Sequence, residues 1–383
     1  MAQDMLERIN ERRAAQTDSP TPREQRGQQR QADAQRAEFV AARTAPALKT
    51  RKPTGKVPLP LVLWEGEEKA GKSWALAEFS GDERVGRTFW LDAGEGSADE
   101  YGAVPGADFE IIDHDGTWGD ILAQVEAVRL VAQAALDAGK PPVVLGIDSM
   151  TDLWETLSDW AYSRATRTET NKKKLAANPD VEIAVHPTFW NSANRRHDRL
   201  MRMLRSFPGI VIMTALGKEV AVMDSKGNPV EGRKEYRVEA QKKVAAKASL
   251  WVRVFRTQPP IVVGARSVKA GVIPGKDEPR RAPGLTLAKA IFEVLGCDPA
   301  NAAPRDVRDL TASDESEQLT AARGAVWEAA QELGWDSSQL QADYLAWART
   351  PIKDAAAKDL DNYLDQMPVP DHDAPAGADT EGR

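Results

Sequence analysis

The sequence is poor in the residues that lock small or secreted proteins together. Its 383 residues hold one cysteine, Cys297, which excludes an internal disulfide framework and a cysteine-rich zinc site. A single reduced, buried thiol is the expected form. Four histidines are scattered without the spacing of metal ligands, so His114 and His197 read as ordinary polar residues. No apolar run approaches the roughly 20 residues of a membrane span. The N-terminus is polar and mixed in charge, without a signal-peptide core. The expected setting is the cytoplasm, with no membrane partner. Positive charge is not in surplus either: 51 Lys+Arg face 58 Asp+Glu, a net charge of −7. That argues against an evenly basic nucleic-acid coat protein and leaves room for local basic patches.

What is present suits a globular protein, with 42% hydrophobic residues, enough for a sizeable core. Residues 1–56 are an exception, with few large apolar side chains and 12 Lys/Arg against 7 Asp/Glu. They read as a disordered basic arm. From Leu61-Val62-Leu63-Trp64 to about Gly296, short apolar runs alternate with helix-period stretches. Thr88–Leu91, Val143–Ile147, Ile210–Met213 and Trp251–Phe255 read as buried strands, and Ile121–Ala138 as a helix. The expected fold is α/β, a mostly parallel sheet with helices on both faces, over residues 57–297. Residues 298–318 read as a polar linker, and 319–368 as a small α-helical domain of three helices. In the first of these, Leu319, Ala322, Val326, Ala329 and Leu333 share a face and Gly334 closes the helix. Residues 369–383 read as a disordered acidic tail.

The strongest signal is Gly66-Glu67-Glu68-Lys69-Ala70-Gly71-Lys72-Ser73, which fits the phosphate-loop pattern G-x-x-x-x-G-K-[ST] at every fixed position. Its glycines let backbone N–H groups turn inward at phosphate oxygens. The helix that follows, with Trp74 in its first turn, presents its positive dipole end to the same anion. Lys72 is expected to reach the β- and γ-phosphates, and Ser73 to bind Mg²⁺. The strand Val143–Ile147 ends in Asp148-Ser149, 76 residues after Lys72. Asp148 is the expected carboxylate on the Mg²⁺ side. Thr88–Glu95 reads TFWLDAGE, and places acids at the end of another strand. Glu95 is the candidate that orients the attacking water, with Asp92, Asp99 and Glu100 as rivals.

Over roughly residues 57–275 these elements resemble the RecA-like recombinase ATPases, and more closely the phage-encoded members labelled AAA family ATPases. The resemblance implies a RecA-like core whose catalytic carboxylate is Glu95, with one glycine more before the acid than the family's FIDAE. The family's Asp-Ser pair is matched by Asp148-Ser149. It implies two DNA-contacting loops. The first spans about Arg164–Pro187, with Arg164, Arg167, Lys172, Lys173 and Lys174. The second runs from Leu216 to about Ala240, with Lys218, Lys226, Arg233, Lys234 and Arg237. Gly227-Asn228-Pro229 suggests a turn or hairpin tip in that second loop. Between the loops come a helix over Phe189–Phe207 and the strand Ile210–Met213, which ends in a sensor residue, Thr214, where many members carry Gln or Asn. Gln241–Arg256 matches the basic helix-then-strand stretch after the second loop. Arg266 and Lys269 stand where the family carries cations that reach a neighbouring subunit's ATP. The resemblance thus implies an ATP- and Mg²⁺-dependent hydrolase that binds single-stranded DNA as a homo-oligomer, alongside phage recombination or replication proteins. A helicase- or packaging-type motor, and an annealing mediator with little hydrolysis, are the alternatives on the same core.

Overall fold

The structure is a computed structural model that describes residues 50–224, 228–270, 278–305 and 315–369. The chain divides into two compact units, Met1–Gly55 and Lys56–Arg383. Of the first, only residues 50–55 are described, and they are irregular and exposed. Most of the expected basic arm, the acidic tail beyond residue 369, and Lys226 and Gly227 at the expected hairpin tip lie outside the described residues.

The second unit is built on one sheet. Its strands are β1 (Leu61–Gly66), β2 (Thr88–Asp92), β3 (Glu110–Ile111), β4 (Val144–Asp148), β5 (Ile210–Met223), β6 (Pro229–Val238), β7 (Leu250–Val254), β8 (Ile261–Ala265) and β9 (Arg280–Arg281). The order across the sheet is β3-β2-β4-β5-β1-β7-β8-β9, with β6 paired only to β5. The six strands from β3 to β7 in that order run parallel, and β8 and β9 add antiparallel.

The central strands are apolar throughout because both faces are covered. Along β1, Leu61 and Leu63 enter one core while Val62 and Trp64 enter the other, the two-residue alternation of a pleated strand. The first core is closed by α3 (Trp118–Asp137), α4 (Met150–Thr166) and α6 (Pro187–Arg205), through Val125, Leu157 and Leu204 among others. The second is closed by α1 (Lys72–Ser80), through Leu76 and Phe79, and by Leu287, Ile291 and Leu295 further along the chain. The short helix α2 (Ala98–Tyr101) follows β2, α5 (Glu169–Ala177) follows α4, and α7 (Val244–Lys247) precedes β7. Local chemistry starts the long helices. Thr117 and Ser149 accept hydrogen bonds from the amides of Asp120 and Asp152 at the heads of α3 and α4, and Pro187 opens α6.

Two stretches expected as loops are regular. Residues 164–187 hold the end of α4 and all of α5, joined through Thr168, which caps α5 by accepting from the Asn171 amide. In residues 216–240, β5 continues past the sheet to Met223 and turns back as β6 in an exposed ribbon. The alternation of polar residues there is that of a two-stranded hairpin with both faces largely in water.

The C-terminal helices are α8 (Glu315–Glu332), α9 (Ser337–Ala348) and α10 (Ala357–Gln366). They share a core of their own built on Val326, Leu340, Tyr344, Leu360 and Tyr363. Asp336 closes a capping box with Gln339 at the head of α9. α10 docks on α3, α4 and α6 through polar contacts. Arg199 pairs with Asp361 at 2.7 Å, Arg196 with Asp365 at 2.6 Å, and Lys358 with Asp120 at 2.6 Å. Trp160 donates its indole N–H to Asp365 at 2.6 Å.

Candidate nucleotide site

The parallel strands all end on one edge, and the candidate site gathers there, as expected for an open parallel sheet. β1 stops at Gly66, where a Cβ atom would lie 2.0 Å from the carbonyl oxygen of Val254 on β7. Only glycine lets the chain leave the sheet at that point. The loop curls over Glu67–Ala70, and Gly71 enters α1 in the left-handed region, φ 83°. No side chain caps α1 and its first turn holds no acid, so the helix head presents its amides and positive dipole end to an anion. Lys72 is buried and donates from Nζ to the carbonyls of Glu67 at 2.8 Å and Gly66 at 3.4 Å. Those carbonyls hold the ammonium inside the curl. Trp74, half exposed, stands beside the loop.

Strand register brings the polar residues into line. Asp92 at the end of β2 sits beside Asp148 at the end of β4. Thr214 on β5 lies between β4 and β1, level with Trp64, and its hydroxyl donates to Asp148 Oδ1. Ser73 also hydrogen-bonds the Asp148 carboxylate. Burial pushes Asp148 above the usual carboxylate range, against the pull of Thr214, Ser73 and Lys72. Burial likewise pulls Lys72 down, and the charges of Asp148 and Glu95 oppose that. Each charged form lacks water and lacks enough opposite charge, which a bound phosphate and a cation would supply together.

Among the described residues no group of three or more His, Cys, Asp or Glu could hold a metal alone. A Mg²⁺ site that shares its ligands with substrate phosphates and water needs no such group. The hydroxyl of Ser73 beside the half-buried Asp148 carboxylate is the hard oxygen set that fits such an ion.

The candidate acids stand in different settings. Asp92 turns inward and accepts from the amides of Gly96 and Ala98 at 3.1 and 3.0 Å, so it holds the loop after β2. Glu95, at the exposed tip of that loop, keeps its carboxylate free for solvent apart from a long 3.5 Å contact with Ser97, and its charge is felt at Lys72. Asp99 and Glu100 lie in the first turn of α2, exposed. The extra glycine has a steric reason: a Cβ at Gly94 would lie 2.8–2.9 Å from the Asp152 side chain. The loop passes over that side chain to present Glu95.

A second cluster at the base of the phosphate loop was not visible in the sequence. Glu65, fully buried on β1, accepts from Trp251 Nε1 and Arg253 Nε, both at 2.9 Å. Arg253 also lies over the ring of Tyr236 on β6, 3.7 Å from its centroid. Glu65 Oε2 and the Tyr236 hydroxyl meet over Gly217, and neither makes a well-formed hydrogen bond. Burial pushes Glu65 upward, against Arg253 and Trp251. The hairpin is thus packed against the residue that precedes Gly66. Its only sequence signal was an acid inside an apolar strand.

The basic residues fall into different settings. Arg164 is a correction to the expected first DNA loop. It is 5% exposed and donates to the carbonyls of Leu364 and Met367 at 2.9 Å each, at the end of α10. Arg167 donates to the Asp365 carbonyl at 2.9 Å. Both serve the docking of the C-terminal helices, because a guanidinium satisfies the orphan carbonyls of a helix end. Lys172, Lys173 and Lys174 are exposed on α5, with Lys172 paired to Glu169 at 2.7 Å. On the hairpin, Lys218 pairs with Glu239, Lys234 with Glu219 at 3.3 Å, and Arg237 with Glu235 at 2.7 Å. Arg233 is exposed. Arg266 and Lys269 follow β8, which runs antiparallel to β7. They stand at the opposite end of the sheet from their own phosphate loop, where Arg266 donates from Nη2 to the Ala246 carbonyl.

A family model described as an AAA domain matches residues 60–255, the span that holds the phosphate loop, Glu95, Asp148, Thr214 and the hairpin. This chain belongs to the AAA-domain family. It is an AAA-domain P-loop ATPase by family and by fold, an α/β protein with a mostly parallel central sheet. No curated protein sequence matches it. Among solved structures, this AAA-domain chain is similar to a prototypical ATPase from the type III secretion system of pathogenic bacteria. The identity is 13%, the match covers 80% of this chain and 79% of that chain, and the TM-score is 0.30, too loose a likeness to bear on function. No helix among its described residues is long and apolar enough to cross a membrane.

Proposed function

We propose that this chain is a Mg²⁺-dependent ATP hydrolase that works as a homo-oligomer on single-stranded DNA, in phage DNA recombination, annealing or replication. The observation that carries the hydrolase reading is the convergence of Lys72, Ser73, Asp148, Thr214 and Glu95 on one sheet edge, around an uncapped helix head. In this reading the α1 amides and Lys72 hold the β- and γ-phosphates, and Ser73 and Asp148 hold Mg²⁺. Bound there, the ion would neutralise charge between the phosphates. Glu95 orients a water in line with the γ-phosphorus and accepts its proton as the water oxygen bonds to phosphorus and the bond to the ADP oxygen breaks. Thr214, hydrogen-bonded to Asp148, lies where a change at the γ-phosphate would be felt by β5.

β5 runs on into the hairpin, and the hairpin rests on Glu65 through Tyr236 and Arg253. That continuity supports the hairpin, with Lys218, Arg233 and Lys234, as the DNA-contacting element. The RecA-like resemblance supports the oligomer and the single-stranded substrate. The test is ATP turnover with and without a single-stranded oligonucleotide. DNA is expected to raise turnover several-fold, with the stimulation lost at high salt and in Arg233→Ala/Lys234→Ala. Equal turnover with and without DNA would remove the DNA part of the reading.

A further inference from the structure

At the end of the sheet opposite the phosphate loop lies a pocket of about 240 Å³, walled in part by Val57, Pro58 and Leu295 and by three arginines, Arg205, Arg266 and Arg305. The arginines come from distant parts of the chain: the last residue of α6, the turn after β8, and the segment that follows Cys297. They are held at the start of β1. Ser249 accepts from the Leu61 amide and donates to the Leu61 carbonyl, both at 2.8 Å, and the Arg266 amide donates to the Ser249 carbonyl at 2.7 Å.

Among the described residues no carboxylate lines this pocket. Among the described residues, Arg205 and Arg305 have neither an ion-pair partner nor a hydrogen-bond acceptor, and Arg266 spends one N–H on the Ala246 carbonyl. Elsewhere in the protein, enclosed arginines are answered. Arg253 meets Glu65, Arg196 meets Asp365, Arg199 meets Asp361, and Arg164 meets two carbonyls. Arg305 is half-buried beside Arg205 and the more exposed Arg266, so desolvation of Arg305 and repulsion from its two neighbours, unanswered by any acid among the described lining residues, weigh against the unliganded fold. Burial and the charges of Arg266 and Arg205 hold Arg305 down to about 10. An anion bound among them relieves both effects.

We propose that Arg205, Arg266 and Arg305 form a second anion site, which takes the phosphate group of a small phosphomonoester or inorganic phosphate. Phosphate suits three forks better than a carboxylate does, since it offers more acceptor oxygens and about two negative charges. The cavity is smaller than the roughly 300 Å³ at which drug-sized ligand pockets begin, which favours a compact ligand with a short carbon part against Val57, Pro58 and Leu295. Arg266, assigned by resemblance to a neighbouring subunit's ATP, belongs to this site by its companions. The site does not depend on nucleotide at the phosphate loop.

That independence sets the experiment. The full-length chain carrying Lys72→Ala is titrated calorimetrically with inorganic phosphate and with ribose 5-phosphate at low ionic strength. One ligand per chain is expected. Affinity is expected to fall tenfold or more on adding Arg305→Ala, with Arg205→Gln as a second variant, and Arg305→Lys should fall between. Melting without ligand is expected to be no lower in Arg305→Ala than in its parent, with phosphate raising the melting temperature of the parent alone. The inference is overturned if the Lys72→Ala chain binds no phosphate, or if Arg305→Ala and Arg205→Gln bind it as well as the parent. It is also overturned if a single-stranded oligonucleotide needs Arg305 while neither small phosphate binds. Loss of ATP turnover in Lys72→Ala bears on the nucleotide site and leaves this result readable.

Discussion

Lys72 is buried and its neighbour Asp148 half-buried, and loss of water moves them in opposite directions, the ammonium down and the carboxyl up. Glu95 differs from both because it stands exposed at a loop tip, where it can reach water. Removing its charge while keeping its shape isolates that role. Glu95→Gln is expected to lower kcat for ATP about 100-fold or more with little change in KM, measured by steady-state phosphate release. A KM effect alone would make Glu95 a binding residue. His197 makes a separate prediction. It is fully buried against the Trp154 ring, both ring nitrogens lack partners, and burial first, then the Lys247 and Lys243 charges, pull it down to about 4. Unfolding restores an ordinary histidine near 6.5, so the unfolded chain binds the extra proton. Stability is therefore whole above pH 6.5 and is lost as pH falls toward 4, by up to about 3 kcal/mol. Denaturant unfolding between pH 7 and 5 should show about 2 kcal/mol of that loss in the wild type and much less in His197→Leu. The phosphate loop was legible residue by residue because its chemistry fixes both residue type and spacing. Glu65 and its partners were not, since Trp251 and Arg253 lie more than 180 residues away and only folding joins them.

Elements were legible where both faces are buried. β1, β2, β4 and β7 stood out as apolar runs, and α3 and α6 as periodic stretches within a few residues of their ends. The hairpin of β5 and β6 was harder to see, because a ribbon in water has no apolar face to betray its period. The stretch over 164–187 reads as a loop for a related reason. A run of Arg and Lys looks solvated, yet Arg164 is consumed by carbonyls 200 residues downstream on α10. That contact carries the prediction for this scale. A buried guanidinium with two charge-assisted hydrogen bonds at a helix end contributes about 3 kcal/mol. Arg164→Ala is expected to cost that much in denaturant unfolding and to expose α8–α10 to limited proteolysis. Unchanged stability with unchanged protection would mean that the apolar core of the three helices and the Arg196, Arg199 and Lys358 pairs dock them alone.

At the scale of the whole molecule, the sheet order places β5 between β1 and β4, and with it Thr214 between the phosphate loop and Asp148. The strand that touches Asp148 is also the strand that becomes the hairpin. A net charge of −7 hid this arrangement. On the hairpin the acids are set against the bases as ion pairs, while among the described residues no acid lines the pocket of the three arginines. The measurement that tests the nucleotide site most directly is Mg²⁺-dependent ATP turnover by the full chain against Lys72→Ala. Turnover is expected to fall at least 100-fold in the variant, with the fold intact by thermal melting. Equal turnover in the two proteins would contradict the site itself.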